Sequence, residues 1–300
     1  MSQPNQRHIV LTGATSGLGL ATARILARDP TIHIITGARD FARAGKLRQA
    51  VPPGQLTLLP LDVSDLASVR RFAAEVAALG HTLGGLCLNA GLQFARGDRR
   101  SAQGFELTFA TNVLGHVLLH DLLAPRLTAT ARIVTIGSGT QNPAATSAAR
   151  FGYRDNVYTS AAALARAAPD PALPQDQQGK DAYAASKLAC ILFAKAMATR
   201  APQTYLAYHP GVIPGTGLVR DGSRLQRLLW ATVLRAARPL LHGSTPARSG
   251  AMLARLMTDH PAPSGSYVAF DGTEGPAHPM TGDPALQAEF LETTRQLTRI

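Results

Sequence analysis

The residues of this chain best suited to chemistry are Tyr183-Ala184-Ala185-Ser186-Lys187. On an α-helix this spacing stacks the tyrosine and the lysine one turn apart on the same face. A phenol with an unperturbed pKa near ~10 is a poor base at neutral pH but carries a proton it can donate. An ammonium one turn away favours the phenolate and is expected to lower that value, bringing proton transfer within physiological reach. The chain has four lysines among its thirty basic residues, so a Lys here, where Arg is the habit, singles the pair out. Tyr-x-x-x-Lys also arises by chance in many helices, so its weight depends on the elements that would position it.

Those elements begin with a short apolar strand, His8 to Thr12, followed directly by Gly13-Ala-Thr-Ser16-Gly17-Leu18-Gly19 and a helix reaching Arg28. Strand, glycine turn and helix is the layout that aims backbone N–H groups and a helix N-terminus at a phosphate. Gly13 allows the tight turn, Gly17 the close approach of a pyrophosphate, and Gly19 close helix–strand packing. The second strand, Thr31 to Gly37, ends in Gly37-Ala38-Arg39-Asp40. An NAD site usually has an acid there for the ribose hydroxyls. A small residue followed by Arg39 instead suits a 2′-phosphate, which a guanidinium can pair, so NADP(H) is expected, with NAD(H) the lesser alternative that Asp40 keeps open.

Further strands are expected at Gln55 to Asp62, Gly85 to Asn89 and Ala131 to Gly137, with helices from Asp65 to about Leu79 and over 103–123. Alternation of this kind means a parallel sheet, whose ligands bind beyond the strands' carboxyl ends. Asp62-Val63, Asn89-Ala90-Gly91 and Ser138 all fall at such ends, while Asn112 lies within the long helix. A sixth strand precedes Pro210-Gly211, Ser266 to Asp271 reads as a seventh, and the tail from Asp283 reads as a peripheral helix.

The bulk properties narrow the class. The chain of 300 residues is 45% hydrophobic and 16% charged, which excludes a disordered protein. Its net charge of +11 comes almost wholly from scattered arginine. That suits a basic surface or an anionic cofactor, and without a zinc-finger spacing, basic block or aromatic-basic interleaving no nucleic-acid function is expected. No metal set is apparent. Cys87 and Cys190 sit in apolar runs and read as core residues. No apolar run reaching the ~18 residues of a membrane span is expected, and a polar N-terminus leads straight into a strand, so the default expectation is a cytoplasmic protein.

Together these residues resemble the short-chain dehydrogenase/reductase family, over roughly residues 7–275. Thr12-Gly13-x-x-x-Gly17-x-Gly19 resembles its cofactor motif, Asp62 its adenine-pocket acid and Asn89-Ala90-Gly91 its sheet-stabilising motif. Asn112, Ser138, Tyr183 and Lys187 resemble its catalytic tetrad in order, and Pro210-Gly211-Val212 with Thr216 the segment that contacts the nicotinamide end. The resemblance implies one domain over 1–300 with a Rossmann fold: a doubly wound, mainly parallel seven-stranded sheet with helices on both faces. Residues 7–137 would form the cofactor-binding half and 138–300 the catalytic and substrate-binding half. It implies that Tyr183 donates a proton to a carbonyl oxygen, Ser138 hydrogen-bonds that oxygen, Lys187 binds the nicotinamide ribose and Asn112 holds a water. Cofactor contacts are implied for Thr12, Gly13, Ser16, Gly17, Leu18, Gly19, Arg39, Asp62, Val63, Asn89, Ala90, Gly91, Tyr183, Lys187, Pro210, Gly211, Val212 and Thr216. Relatives often pair through the helices carrying Asn112 and Tyr183, so a homodimer is one expectation.

Within the family the chain looks most like the branch of retinol dehydrogenases and light-dependent protochlorophyllide reductases. Gly104-Phe-Glu-Leu, Asn112-Val-Leu-Gly-His116 and Ser186-Lys187-Leu-Ala-Cys-Ile-Leu carry that likeness. So does the gap of 45 residues from Ser138 to Tyr183, with an insert over about 141–180 that reads either as a flexible lid or as surface decoration. A protochlorophyllide reductase has cysteine at the position of Val212 and Asn-Ala-Ala at Asn89-Ala90-Gly91, so an apolar carbonyl or alcohol substrate is favoured over reduction of a porphyrin C=C bond. A catalytically silent NADP-binding sensor is a third reading. A second lid is expected over about 214–243. Its helix over 218–241, apolar on one side and arginine-rich elsewhere, reads as a pocket cover or as a surface touching a membrane, with Trp230 at either.

Overall fold

The computed structural model describes residues 6–213 and 243–299. Seven strands form one sheet: β1 (Arg7–Leu11), β2 (Ile32–Ala38), β3 (Leu56–Pro60), β4 (Leu83–Leu88), β5 (Leu127–Ile136), β6 (Thr204–His209) and β7 (Tyr267–Ala269). They lie in the order β3-β2-β1-β4-β5-β6-β7, and every pairing is parallel. A parallel sheet is covered by crossover helices on both faces, so its strands are apolar at consecutive positions. Alternation still sorts the side chains. Val10 packs with Ile35, Leu86 and Ile133 on one face, and Ile9 and Leu11 pack with Ile34, Cys87 and Val134 on the other.

The first face is covered by the helices Leu66–Ala78, Gly115–Leu123, Gln175–Ala198 and Pro284–Leu297. The second is covered by Gly17–Leu26, Gly45–Ala50 and Pro246–Thr258. Strand order runs outward from β1 in one direction and from β4 in the other. The chain therefore opens a crevice at the carboxyl ends between them, where an α/β sheet places its ligand.

Several elements differ from the sequence expectation. The helix expected over 103–123 starts at Leu107, because Glu106 turns its carboxylate onto the N–H groups of Thr108 (2.9 Å) and Phe109 (2.6 Å) and caps it there. Its middle, Ala110–Leu114, is a π-helical turn. The segment Leu107–Arg126 is long and apolar enough by composition to cross a membrane, contrary to expectation, but 78% of its apolar window is buried inside the fold, as in a core helix. The tail helix Pro284–Leu297 is not peripheral: Phe290, Leu291 and Leu297 are part of the main core. The helix Pro246–Thr258, which no motif announced, is capped by Thr245. It lies so close to Gly17–Leu26 that a Cβ on Gly250 would sit 2.7 Å from that of Ala21.

The insert after β5 is fastened at its start. Gln141 donates to Pro276 O (2.7 Å) and accepts from His278 N (2.9 Å), and Asn142 donates to Ala277 O (3.1 Å). Tyr158, Ala161 and Ala165 further along it are buried in the core. The expected lid over 214–243, with Thr216 and Trp230, lies outside the described residues except for Gly243.

Candidate active site

The crevice is a cleft of ≈ 260 Å³ running from the β1 loop to the start of the insert. At one end Gly13, with φ +72°, makes the turn after β1. A Cβ on Gly19 would overlap Gly13 O and come within 2.6 Å of Asn89 Nδ2, so only glycine lets the helix approach the strand this closely. Ser16 precedes the helix Gly17–Leu26 without capping it, and no acid lies in the first turn. The helix N-terminus therefore faces the cleft, and among the described residues no partner meets the N–H groups of Gly17, Leu18 and Gly19 and no acid offsets the dipole, a setting made for a phosphate.

The loop is anchored from behind. Asn89 Nδ2 donates to Thr12 O (2.7 Å), and Ala90 N donates to Thr12 Oγ1 (2.9 Å). At the tip of β2, Arg39 lines the cleft with Asp62, their charged groups 3.9 Å apart across exposed surface. Asp40 is turned away, its carboxylate accepting from Ala42 N (2.9 Å) to cap the turn Phe41–Ala44. Asp62 Oδ1 accepts from Ser64 N (3.0 Å) and Ser64 Oγ (2.7 Å), leaving Oδ2 towards the cleft and Arg39.

At the other end the helix Gln175–Ala198 brings Tyr183 and Lys187 beneath the carboxyl ends of β5 and β6. Tyr183 is buried, and burial, then the neighbouring Tyr153 phenol, push its pKa up, while a hydrogen bond with Ser138 pulls it down. The direction is opposite to the sequence expectation. The Lys187 ammonium is committed to Ile136 O (3.0 Å) and stands 5.4 Å from the Tyr183 ring centroid. Its own pKa is lowered by burial. The cost of charging a buried phenol outweighs whatever the cation contributes.

Asn112 is held through both ends of its amide. Its Nδ2 donates to Leu92 O (3.0 Å) and Ser186 Oγ (2.9 Å), and its Oδ1 accepts from Leu92 N (3.0 Å). Its carbonyl meets His116 Nδ1 (3.2 Å) and Cys190 Sγ (3.5 Å). The residue therefore braces the loop after β4 against the Tyr183 helix. Gly91 is the piece between them: a Cβ there would lie 3.3 Å from Asn112 Oδ1 and 3.5 Å from Lys187 Nζ.

Of the residues singled out in the sequence, Gly13, Ser16, Gly17, Leu18, Gly19, Arg39, Asp62, Val63, Asn89, Ala90, Gly91, Ser138, Tyr183, Lys187, Pro210 and Gly211 line the one cleft. Thr12 and Asn112 support it from behind. Val212 does not line it; it bridges to Gly243, and Ile213 faces the cleft instead. Thr15, Leu92, Thr111 and Gly137 also line it and were missed, although each adjoins a recognised motif. Among the described residues no group of three or more His, Cys, Asp or Glu is placed to hold a metal.

A phosphate cradle at the switch point of a seven-stranded parallel sheet, with Ser, Tyr and Lys at the far end of the same cleft, is the layout of a nucleotide-dependent dehydrogenase. A family model described as short chain dehydrogenase matches residues 7–153. The protochlorophyllide reductase of Chlamydomonas reinhardtii, a chloroplast enzyme, is 34% identical over 282 residues, 89% of this chain and 70% of that protein. The chloroplast protochlorophyllide reductase of Cucumis sativus is 33% identical over 236 residues, 74% of this chain but 59% of its own length. A solved structure of an uncharacterised protein from Mycobacterium paratuberculosis is 29% identical, with a TM-score of 0.71 over 98% of this chain and 94% of that one. The chain belongs to the short-chain dehydrogenase/reductase family, and so to the oxidoreductases.

Proposed function

We propose that this protein is an NADP(H)-dependent oxidoreductase that moves a hydride between the nicotinamide and a carbonyl or alcohol carbon of an apolar substrate. The observation that carries the reading is that the Ser138 and Tyr183 hydroxyl side chains, with Lys187, line the same cleft as the glycine cradle. The preference for NADP(H) rests on the tip of β2. Arg39 faces the cleft, where a guanidinium can pair a 2′-phosphate, while Asp40 caps the next turn instead of facing the ribose.

The residues present fit such a cofactor. The Gly13–Gly19 loop and its helix N-terminus would hold the pyrophosphate, Asp62 and Val63 the adenine, and Lys187 with Asn89-Ala90-Gly91 the nicotinamide ribose. Pro210 and Gly211 would hold the nicotinamide. Bound NADPH supplies the hydride. The chain supplies the proton: burial keeps Tyr183 in its donating form at neutral pH. As negative charge grows on the carbonyl oxygen, Tyr183 delivers that proton and Ser138 donates a second hydrogen bond. The phenolate left behind lies within reach of the Lys187 charge.

A second reading, reduction of a conjugated C=C bond, is favoured by the likeness to protochlorophyllide reductases. Val212 and Gly91 depart from that enzyme's pattern and weigh for the carbonyl. The deciding experiment follows oxidation of NADPH, against NADH, with aliphatic, aromatic and retinoid-like carbonyls and with a conjugated cyclic alkene, using cofactor deuterated at C4. Deuterium on a carbinol carbon supports the first reading, and deuterium on a former alkene carbon supports the second. Tight NADPH binding without turnover on any of them would overturn both.

A further inference from the structure

His116 takes no part in the chemistry set out above, yet its side chain touches both Thr12, at the glycine loop, and Asn112. It lies one turn beyond Asn112, just after the π-helical turn, and is buried. Its Nδ1 is 3.2 Å from Asn112 O and its Nε2 is 3.1 Å from Thr12 Oγ1. A carbonyl only accepts, so Nδ1 carries the proton and Nε2 is the acceptor. Thr12 already accepts from Ala90 N (2.9 Å), and its one proton has two acceptors in reach, Cys87 O at 3.3 Å and His116 Nε2 at the shorter 3.1 Å. The result is a directed chain: Ala90 N–H to Thr12, Thr12 O–H to His116, His116 N–H to Asn112 O.

We propose that His116 is a positioning residue, a neutral imidazole that holds the phosphate-binding loop in register with the helix that braces the proton donor. The loop is tied through Thr12, which opens the glycine turn. The helix is tied through Asn112, whose amide in turn holds Leu92 and Ser186, and Ser186 donates to Tyr183 O (2.7 Å). Each ring nitrogen serves one side, which makes the two functions separable. Burial, and the nearby Lys187 charge, keep the ring neutral by lowering its pKa to about 4. The link is therefore intact across physiological pH.

The proposal rests on the oxidoreductase reading, and the test separates the two. NADPH affinity is measured by its fluorescence and turnover by its oxidation, for the wild type and for His116→Phe, His116→Gln and His116→Asn. Gln can reach the Nε2 position and keep the Thr12 bond; Asn can reach the Nδ1 position and keep the Asn112 bond. Losing one buried hydrogen bond corresponds to about tenfold. His116→Phe, checked for folding by its unfolding midpoint, is expected to weaken NADPH binding about tenfold and to lower kcat by a similar factor. His116→Gln is expected to restore affinity but not kcat, and His116→Asn to restore kcat but not affinity. If the Gln and Asn variants recover or fail together, His116 is only a packing residue and the proposal is wrong, a comparison that holds even if the Phe variant does not fold. If the wild type itself does not bind NADPH, the oxidoreductase reading fails first and takes this one with it.

Discussion

At the scale of single residues, the proposed proton donor, Tyr183, is defined more by where it sits than by its neighbour in sequence. Tyr183 and Lys187 were legible from their spacing alone. The direction of the phenol's pKa was not, because it depends on a burial that arises only when the helix docks under β5 and β6. Tyr183→Phe keeps the ring and removes the proton. It is expected to lower carbonyl turnover by about 10²–10⁴-fold while leaving NADPH affinity within a factor of two or so; an unchanged kcat would remove Tyr183 from the mechanism. The cofactor end has its own test. Arg39→Ala removes a charge-assisted bond of about 1.5–3 kcal/mol, so KM for NADPH is expected to rise about ten- to a hundredfold while KM for NADH stays put. Equal losses with both cofactors would mean that Arg39 reads no phosphate. The tip of β2 was readable because the pattern there turns on residue type; that Asp40 would face away and cap a turn was not, since capping depends on the backbone path after the strand.

At the scale of elements, the helix bearing Asn112 is where the sequence reading was least complete. Its apolar periodicity gave the helix, but a π-helical turn has no marker in composition, and neither has the cap by Glu106 that trims it to Leu107. The turn brings Gly115 directly against the chain after β3: a Cβ there would overlap Val63 O and lie 2.8 Å from Val63 Cγ1. Val63 lines the cleft, at the end proposed to take the adenine. Gly115→Ala thus forces either the helix or Val63 to move, an overpacking that costs about 1–3 kcal/mol. A lowered unfolding midpoint is expected, together with weaker NADPH binding, measured by thermal melting and by titration of fluorescence. A drop in stability with unchanged affinity would show that the helix yields instead of the cleft. The tail helix Pro284–Leu297 makes the related point that amphipathic spacing reports a buried face but not what covers it. Phe290 is fully buried against helices far earlier in the chain.

At the scale of the whole molecule, the doubly wound sheet was the most legible feature, because a parallel strand buried on both sides writes its apolar run into the sequence. The histidines were the least. They look like surface residues in a basic chain of net charge +11, and yet His8, His116 and His209 all have pKa values lowered to about 4, in each case first by burial. His8 is also stacked on His81 with ring centroids 3.9 Å apart, so a charge on either opposes one on the other. An unfolded histidine titrates near ~6.5. Between that value and about 4 the unfolded chain binds the proton and the folded chain does not, so stability is whole above the upper value and is lost progressively as pH falls towards the lower one. Glu106, whose pKa is raised by burial, works in the other direction. Asp65 and Asp121, whose values are lowered, add their losses only below the ordinary carboxylate range. His33 and His260 are lowered as well, first by burial, and five histidines against one glutamate set the sign: the urea midpoint is expected to fall from pH 7 to pH 5. For the fully buried His116 alone, a depression from 6.5 to about 4 corresponds to at most roughly 3–4 kcal/mol, at about 1.4 kcal/mol per unit. His116→Gln should flatten the pH dependence by about one proton. Equal slopes for the wild type and that variant would mean that His116 does not stay neutral in the folded protein, and the directed chain from Ala90 through Thr12 to Asn112 could not be drawn as it is.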